Sequence, residues 1–292
     1  MEDLDKWRKA GKITGEARRY GATLIKKNSK IIDVVEKVEE KIKNLGGECA
    51  FPVNTSLNDC AAHDTARPED ERIFTDEVVK LDLGVHVDGC IGDTAVTVDL
   101  SGKHEKLLKA SEEALKAAIE AAKQFKSLGE IGRAIQESIS KYGFAPVRNL
   151  SGHGLSEYNV HTSPSIPNYD TGDKRILEKE TIIAIEPFAS MGKGEIYESG
   201  DANIFSQVAR KGVRNPITRN ILKEIEKYKG LPFSLTWLVK KFTLPKTNFA
   251  LRELMNLGIL KGYPPLIDKA HGTISQKEHT LYIGDEVEVL TK

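Results

Sequence analysis

VVKLDLGVHVDGCIGDTAVTVDL, residues 78–100, is the stretch on which the reading of this chain turns. On either side of Asp88-Gly89 the residues alternate as two β-strands do. Val79, Leu81, Leu83, Val85 and Val87 share one face of the first strand, so Asp82 belongs to the other. Asp-Gly is a strong signal for a two-residue hairpin turn. With that turn, Asp82 stands opposite Ala95, and Asp93 lies two residues along on the same face. Diagonal neighbours on one face are roughly 7–8 Å apart at the backbone, close enough for two carboxylates to share one metal ion or hold two adjacent ones. A turn one residue longer would send them to opposite faces. Acids at alternate hairpin positions ordinarily form the wet side of an antiparallel sheet. Gly84, Gly92 and Ala95, read as their neighbours on that face, suit a crowded pocket better. Further ligands elsewhere in the chain are what separate the two readings.

The chain has 292 residues, enough for a large core in one or two domains. Its charges balance at 43 basic and 43 acidic residues, which argues against coating nucleic acid. The start, MEDLDKWRKA, has no apolar core and does not read as a signal peptide. No run approaches the ~18 apolar residues of a membrane span. Cys49, Cys60 and Cys90 are odd in number and lack CxxC spacing, so reduced thiols and a cytoplasmic location are expected.

Around the hairpin the chain reads as helix, helix, strands, twice over. Residues 3–27 and 30–44 are amphipathic, the second with Ser29 as N-cap and Gly46-Gly47 as stop. Helices at 104–126 and 129–142 open the second half, and Gly143 ends them. AFPV at 50–53 and FAPV at 144–147 match locally, and each precedes a polar turn and a histidine, His63 or His153. A duplicated unit would bring those two histidines near a pseudo-twofold centre. Residues 217–260 read as three short helices with proline breaks, and strands return at 279–290. An α+β fold results, with a helical insertion in a sheet-based domain.

The further ligand candidates lie well apart in the chain. His153 sits between two glycines in NLSGHGLSEY, and glycines leave the backbone free to bring an imidazole close to a bound group. A surface-loop histidine is the plainer alternative. Glu186 follows Ile182-Ile183-Ala184-Ile185, a strand buried on both faces, where a carboxylate is costly unless paired, protonated or bound to a cation. A glutamate reaching water at the strand end before Pro187 is the competing reading. Glu278, alternating with Thr280 and Tyr282, alone resembles an edge-strand acid. Together Asp82, Asp93, His153, Glu186 and Glu278 make an oxygen-rich set with one nitrogen. It suits two divalent ions such as Mn²⁺, Fe²⁺, Co²⁺ or Zn²⁺ better than a structural zinc. Such a pair activates a bridging water as hydroxide for amide hydrolysis.

Several segments then line up in order: AFPVNTSLNDCAAHDTARPED (50–70), KLDLGVHVDGCIGDTAVTV (80–98), NLSGHGLSEYNVHTSPSIPN (149–168), AIEPFAS (184–190), GYPPL (262–266) and EHT (278–280). Over essentially the whole chain they resemble the type 2 methionine aminopeptidases of the short archaeal kind. The resemblance implies a pita-bread fold (creatinase/aminopeptidase-like), with a catalytic domain of 1–194 and 269–292 and a winged-helix-like insertion of 195–268. It implies removal of the initiator methionine from nascent chains whose second residue is small. Asp82 would bind one ion, Asp93 and Glu278 would bridge two, and His153 and Glu186 would complete the second site. His161 would steady the developing oxyanion, His63 would lie near the first peptide group, and Glu186 would shuttle the proton. Phe51, Val160 and Tyr263 would line the methionine pocket or its mouth. Lys277 departs from the family pattern, where an apolar or aromatic residue is expected, and alternation turns its side chain away from Glu278.

Three other functions compete. X-Pro peptidases share the fold and the five ligands, but the insertion and the NDCAAH, YPP and EHT segments favour the methionine enzyme. A metal-free binding module of the same fold would lack ligands that are all present here. Nucleic-acid binding through Arg210, Lys211, Arg214, Arg219, Lys240 and Lys241 is the third, with ribosome contact as its form; a solvated basic face explains them equally. No DNA partner and no membrane are expected, and the enzyme is expected to act as a monomer.

Overall fold

The Asp88-Gly89 turn forms as its residues demand. Both take positive φ, 51° and 95°, the requirement of the hairpin turn whose twist matches the strands. Strands Val78–Val87 and Cys90–Asp99 pair with Asp82 opposite Ala95 and Gly84 opposite Asp93, so the two aspartates share a face. Gly92 does not: it pairs with Val85, and a Cβ there would meet Thr14 Oγ1 at 2.5 Å. That glycine lets a helix lie against the hairpin and contributes no room to the aspartate face.

The computed structural model describes residues 3–292. Helices α1 (Leu4–Leu24) and α2 (Ile31–Asn44) cover the hairpin, burying Ile13, Ala17, Val34 and Val38 against Leu81, Leu83 and Val85. Lys30, not Ser29, is the N-cap of α2. The reason is local pairing: Phe74 N–H donates to Ser29 O and Ile31 N–H to Arg72 O, so backbone satisfies this helix start without a side-chain cap. Helices α3 (Glu105–Lys123) and α4 (Leu128–Ser140) repeat the arrangement. Ser127 and Glu130 form a capping box at the start of α4. Leu115, Ala118, Ile131 and Ile135 bury against Ile183, Ile185, Leu281 and Ile283. These belong to a five-stranded sheet containing Ser151–Ser156, Asn159–Pro167, Thr181–Ile185, His279–Ile283 and Val287–Val289.

Threonines join the two sheets where the aspartates sit. Thr280 Oγ1 accepts from Asp93 N–H at 2.7 Å and donates to Asp93 O at 2.8 Å. Thr94 and Thr97 hydroxyls donate to Glu278 O and Gln276 O at 2.8 and 2.7 Å. Buried hydroxyls paired this way fix the relative position of strands almost two hundred residues apart in sequence.

The stretch between residues 202 and 260 has its own core of Ile221, Leu222, Phe233, Leu238, Leu251 and Leu254. Helices α5 (Pro216–Ile225), α6 (Leu235–Val239) and α7 (Leu244–Asn256) match the three short helices expected. Short strands Ile204–Gln207, Phe233–Ser234 and Leu260–Tyr263 accompany them; at two to four residues they are too brief to read as alternation. At its ends, Ile196–Glu198 pairs with Leu266–Asp268, which pairs with Cys60–Ala62.

Helix α6 rests on α2 through Trp237, whose indole N–H donates to Glu39 Oε1 at 2.8 Å, and through Lys240, 3.0 Å from Glu36. Burial pushes the Glu39 carboxyl up to about 7. A carboxyl raised by folding contributes stability that is complete below its unfolded value, near 4.5, and is lost as pH rises through 7. Glu39→Gln keeps an acceptor for Trp237 and removes the titration. Its melting temperature should therefore fall less than wild type between pH 5 and 8 (about three units, spanning the shift). Parallel melting curves would show that Glu39 does not titrate there.

Candidate metal centre and cavity

The hairpin presents Asp82 and Asp93. His153 comes from strand Ser151–Ser156, Glu186 follows strand Thr181–Ile185, and Glu278 lies between strands Ile274–Gln276 and His279–Ile283. One ligand atom each from Asp93, His153 and Glu278 fall within 4.8 Å of one another. His153 Nε2 is 3.9 Å from Asp93 Oδ2 and 3.8 Å from Glu186 Oε1. Gln276 joins the remaining pair, its Nε2 donating to Asp82 Oδ2 at 3.3 Å and to Glu186 Oε2 at 3.2 Å.

Asp93 and Glu278 are 3% and 1% exposed, too little for water to carry their charge. Burial raises the proton affinity of all four carboxyls, and for Asp93, Glu186 and Glu278 the neighbouring carboxylates raise it further. Asp82 Oδ1, Asp93 Oδ1 and Glu278 Oε2 are buried without any hydrogen-bond donor among the described residues. A divalent cation would satisfy acceptors orphaned in this way, so the donor set fits such a metal. His153 fits it too. Its Nδ1 lies 3.2 Å from Gly154 O and donates there, leaving the Nε2 lone pair aimed at the carboxylates. Burial, then His161, pushes this imidazole down to about 3 and keeps it neutral, as a ligand must be.

The glycines beside His153 serve packing instead of backbone freedom. A Cβ on Gly152 would stand 2.3 Å from Ala184 O, and one on Gly154 2.2 Å from Ser163 O. Only glycine admits the flanking strands so closely.

The cluster forms the floor of a cavity of about 670 Å³. Phe51, His63, Val160, His161 and Tyr263 line it as well, so all ten residues singled out in the sequence come together. The His153 and His161 rings are 4.4 Å apart, and His63 meets the Tyr263 ring edge-on at 5.6 Å. His63 has φ 65°, a left-handed conformation uncommon for residues other than glycine, and its buried Nδ1 has no partner. Tyr263 is held through its hydroxyl, 2.9 Å from Ser206 Oγ. Burial pushes His63 down to about 4 and lowers His161 as well.

Gly84, opposite Asp93, makes room for Phe51: a Cβ there would lie 2.3 Å from the ring. Gly84→Ala should displace Phe51 and, given the substrate role that the resemblance implies for that ring, raise KM for a methionyl peptide by about tenfold, the effect of ~1.4 kcal/mol of lost binding. Unchanged KM would show that the ring is not part of the substrate's seat.

Gln276 and Lys261 escaped the sequence reading. Gln276 shares strand parity with Glu278, which was its one available signal. Lys261 lines the cavity, its ammonium 5.0 Å from the centre of the Tyr263 ring, and nothing local marks it. Lys277 faces a different cavity, behind the cluster.

The profile of "Metallopeptidase family M24" matches residues 5–219. A methionine aminopeptidase of Archaeoglobus fulgidus is 45% identical over 97% of this chain and 96% of its own length. One of Methanocaldococcus jannaschii is 41% identical, over 100% and 99%. Among solved structures, a methionine aminopeptidase of Thermotoga maritima superposes with TM-score 0.72 at 24% identity, covering 99% of this chain and 96% of that one. A prolidase of Pyrococcus furiosus does so at 0.64 and 20%, over 100% of this chain and 64% of its own. The structural likenesses establish the fold, which is the pita-bread arrangement.

Proposed function

The chain belongs to metallopeptidase family M24, and from that premise we propose how its cavity works. It is a metal-dependent aminopeptidase that removes the initiator methionine from polypeptides. The observation that carries the proposed site is the convergence of four carboxyls and one imidazole, three buried oxygens among them without a donor, beneath a partly apolar cavity. Asp82, Asp93, His153, Glu186 and Glu278 would hold two divalent ions of the Mn²⁺, Fe²⁺, Co²⁺ or Zn²⁺ kind, with Asp93 and Glu278 shared between them. Ions bound there supply Lewis acidity, which lowers the pKa of water toward neutrality and polarises a carbonyl.

The chain's own residues orient the substrate and move the proton. Phe51 and Val160, 9% and 5% exposed, offer an unbranched thioether an apolar seat, with Tyr263 nearby. His63 and His161, both lowered by burial, are neutral at pH 7 and can donate hydrogen bonds to peptide carbonyl oxygens. Glu186 Oε2 accepts from Gln276, and the other oxygen is the one proposed to carry a proton from water to the departing amine. His161→Ala should lower kcat by ~10²–10³-fold with a smaller change in KM, the cost of losing one oxyanion donor. Steady-state kinetics with near-normal kcat would remove His161 from that role.

The direct test is metal analysis of the purified protein combined with cleavage of methionyl peptides differing at the second residue. Two ions per chain and fast turnover of Met-Ala-Ser, slowing as the second side chain grows, are expected. Prolidases share the fold, so Ala-Pro peptides belong in the same assay; faster cleavage of these overturns the methionine reading.

Nascent polypeptide N-termini in the cytoplasm are the proposed substrates. No helix among the described residues is long and apolar enough to cross a membrane. One chain supplies all ten of the site residues singled out in the sequence, and we propose that it acts as a monomer. We divide it into a catalytic domain of 1–194 and 269–292 and an insertion of 195–268, a division supported by the insertion's separate core. Ribosome contact would rest on Arg210, Arg214 and Arg219, since Lys240 and Lys241 pair with Glu36 and Glu224 and Lys211 donates to Leu257 O. Salt-sensitive binding of ribosomal RNA that survives replacing those arginines would remove this part of the proposal.

A further inference from the structure

Behind the acidic cluster lies a second cavity, of about 580 Å³, between α1 and α3. Glu278 contributes to the walls of both cavities. Six cationic side chains line the second one against three acidic ones, in a chain whose charges balance overall. Two of the acids are already engaged: Glu112 is 2.5 Å from Lys116, and Glu120 is 3.7 Å from Lys123. Glu278 is drawn into the metal-binding set.

Arg18 and Lys277 are the cations that matter. Both are half-buried, and neither forms a salt bridge among the described residues, although Glu112 and Glu278 line the same recess. Arg18 Nη1 donates to Thr94 Oγ1 at 2.7 Å and reaches His279 Nδ1 at 3.3 Å. A guanidinium has five N–H groups, so most of its donor capacity is left over. Burial, then Arg19, pushes Arg18 down to about 10. Six cations against three acids, two of them already paired, leave this partly buried recess with an excess of positive charge that a bound anion would offset.

We propose that this cavity binds a phosphoryl group, received by the Arg18 fork and the Lys277 ammonium. The planar guanidinium matches two oxygens of a tetrahedral oxyanion, and the ammonium adds a point charge. Ala22, Val96, Leu115, Ile119 and Val289 leave an apolar wall beside it. The same chemistry therefore accepts free phosphate or a phosphate carried on a small organic molecule.

Isothermal titration of the metal-loaded enzyme with inorganic phosphate and with phenyl phosphate tests the proposal. Saturable binding is expected, weakened about tenfold or more in both Lys277→Met and Arg18→Gln. Lys106→Met, an exposed site on α3, should leave it unchanged. Tighter binding of phenyl phosphate would identify an organic carrier as the ligand class, and equal binding the free oxyanion. Arg18→Lys, which keeps the charge without the fork, should fall between wild type and Arg18→Gln. Melting curves in phosphate-free buffer separate lost binding from lost folding. Absence of saturable binding overturns the proposal. So does phosphate affinity equal to wild type in Lys277→Met and Arg18→Gln, which would trace the binding to the catalytic ions.

Discussion

Asp93→Ala is expected to strip the protein of metal and activity together. Asp93 is the best-placed acid in the cluster: 3% exposed, 3.9 Å from His153 Nε2, and grouped within 4.8 Å with ligand atoms of His153 and Glu278. Its backbone is clamped on both sides by Thr280 Oγ1, so its carboxyl cannot be replaced by a small movement of its neighbours. Loss of a mere outer partner of a metal ligand costs ~10–100-fold in affinity or activity, and loss of a proposed ligand itself should exceed that. Elemental analysis after dialysis should find less than the wild-type metal content, with turnover near background. The metal-free variant should melt no lower than the metal-free wild type, because one of four mutually repelling buried carboxyls is gone. The stabilisation that added metal gives wild type should shrink sharply. A variant that keeps the wild-type metal content would refute the proposed ligand role of Asp93.

Glu186→Gln should separate chemistry from metal binding. Glutamine has nearly the same shape and retains an oxygen to accept from Gln276 Nε2, the 3.2 Å bond that positions Glu186. It cannot take up and release a proton. A general acid–base group is worth ~10²–10⁴-fold in rate, so kcat should fall by about that much. KM should change little, because the proposed apolar seat is formed by other lining residues, Phe51 and Val160. Glu186 also stands among the proposed ligands, 3.8 Å from His153 Nε2, so metal content must be measured alongside the kinetics. Full turnover with full metal content would leave Glu186 without a catalytic task.

The hairpin was legible because its information is local. Asp88-Gly89 sets a two-residue turn, strand alternation sets the face, and together they place Asp82 opposite Ala95 and Asp93 opposite Gly84. Gly92 was grouped with the aspartates against that same alternation, which puts residues 92 and 93 on opposite faces and pairs Gly92 with Val85. The Ser29 cap was misread because its competitor, the pairing of residues 28–31 with 72–74, is non-local. The roles of His63, His161, Phe51, Val160 and Tyr263 came from the family resemblance, since no spacing rule connects them.

Sequence alone therefore determined the paired aspartates, the helical stripes, the likeness of the two halves and the candidate ligands. Tertiary structure alone decided that Glu186, Glu278 and His153 meet those aspartates, that Gln276 ties Asp82 to Glu186, and that Arg18 and Lys277 face a separate recess. Turn chemistry and alternation act between residues a few positions apart. The threonine bonds from 93–97 to 276–280 join strands almost two hundred residues apart, and nothing in either strand's own sequence names its partner.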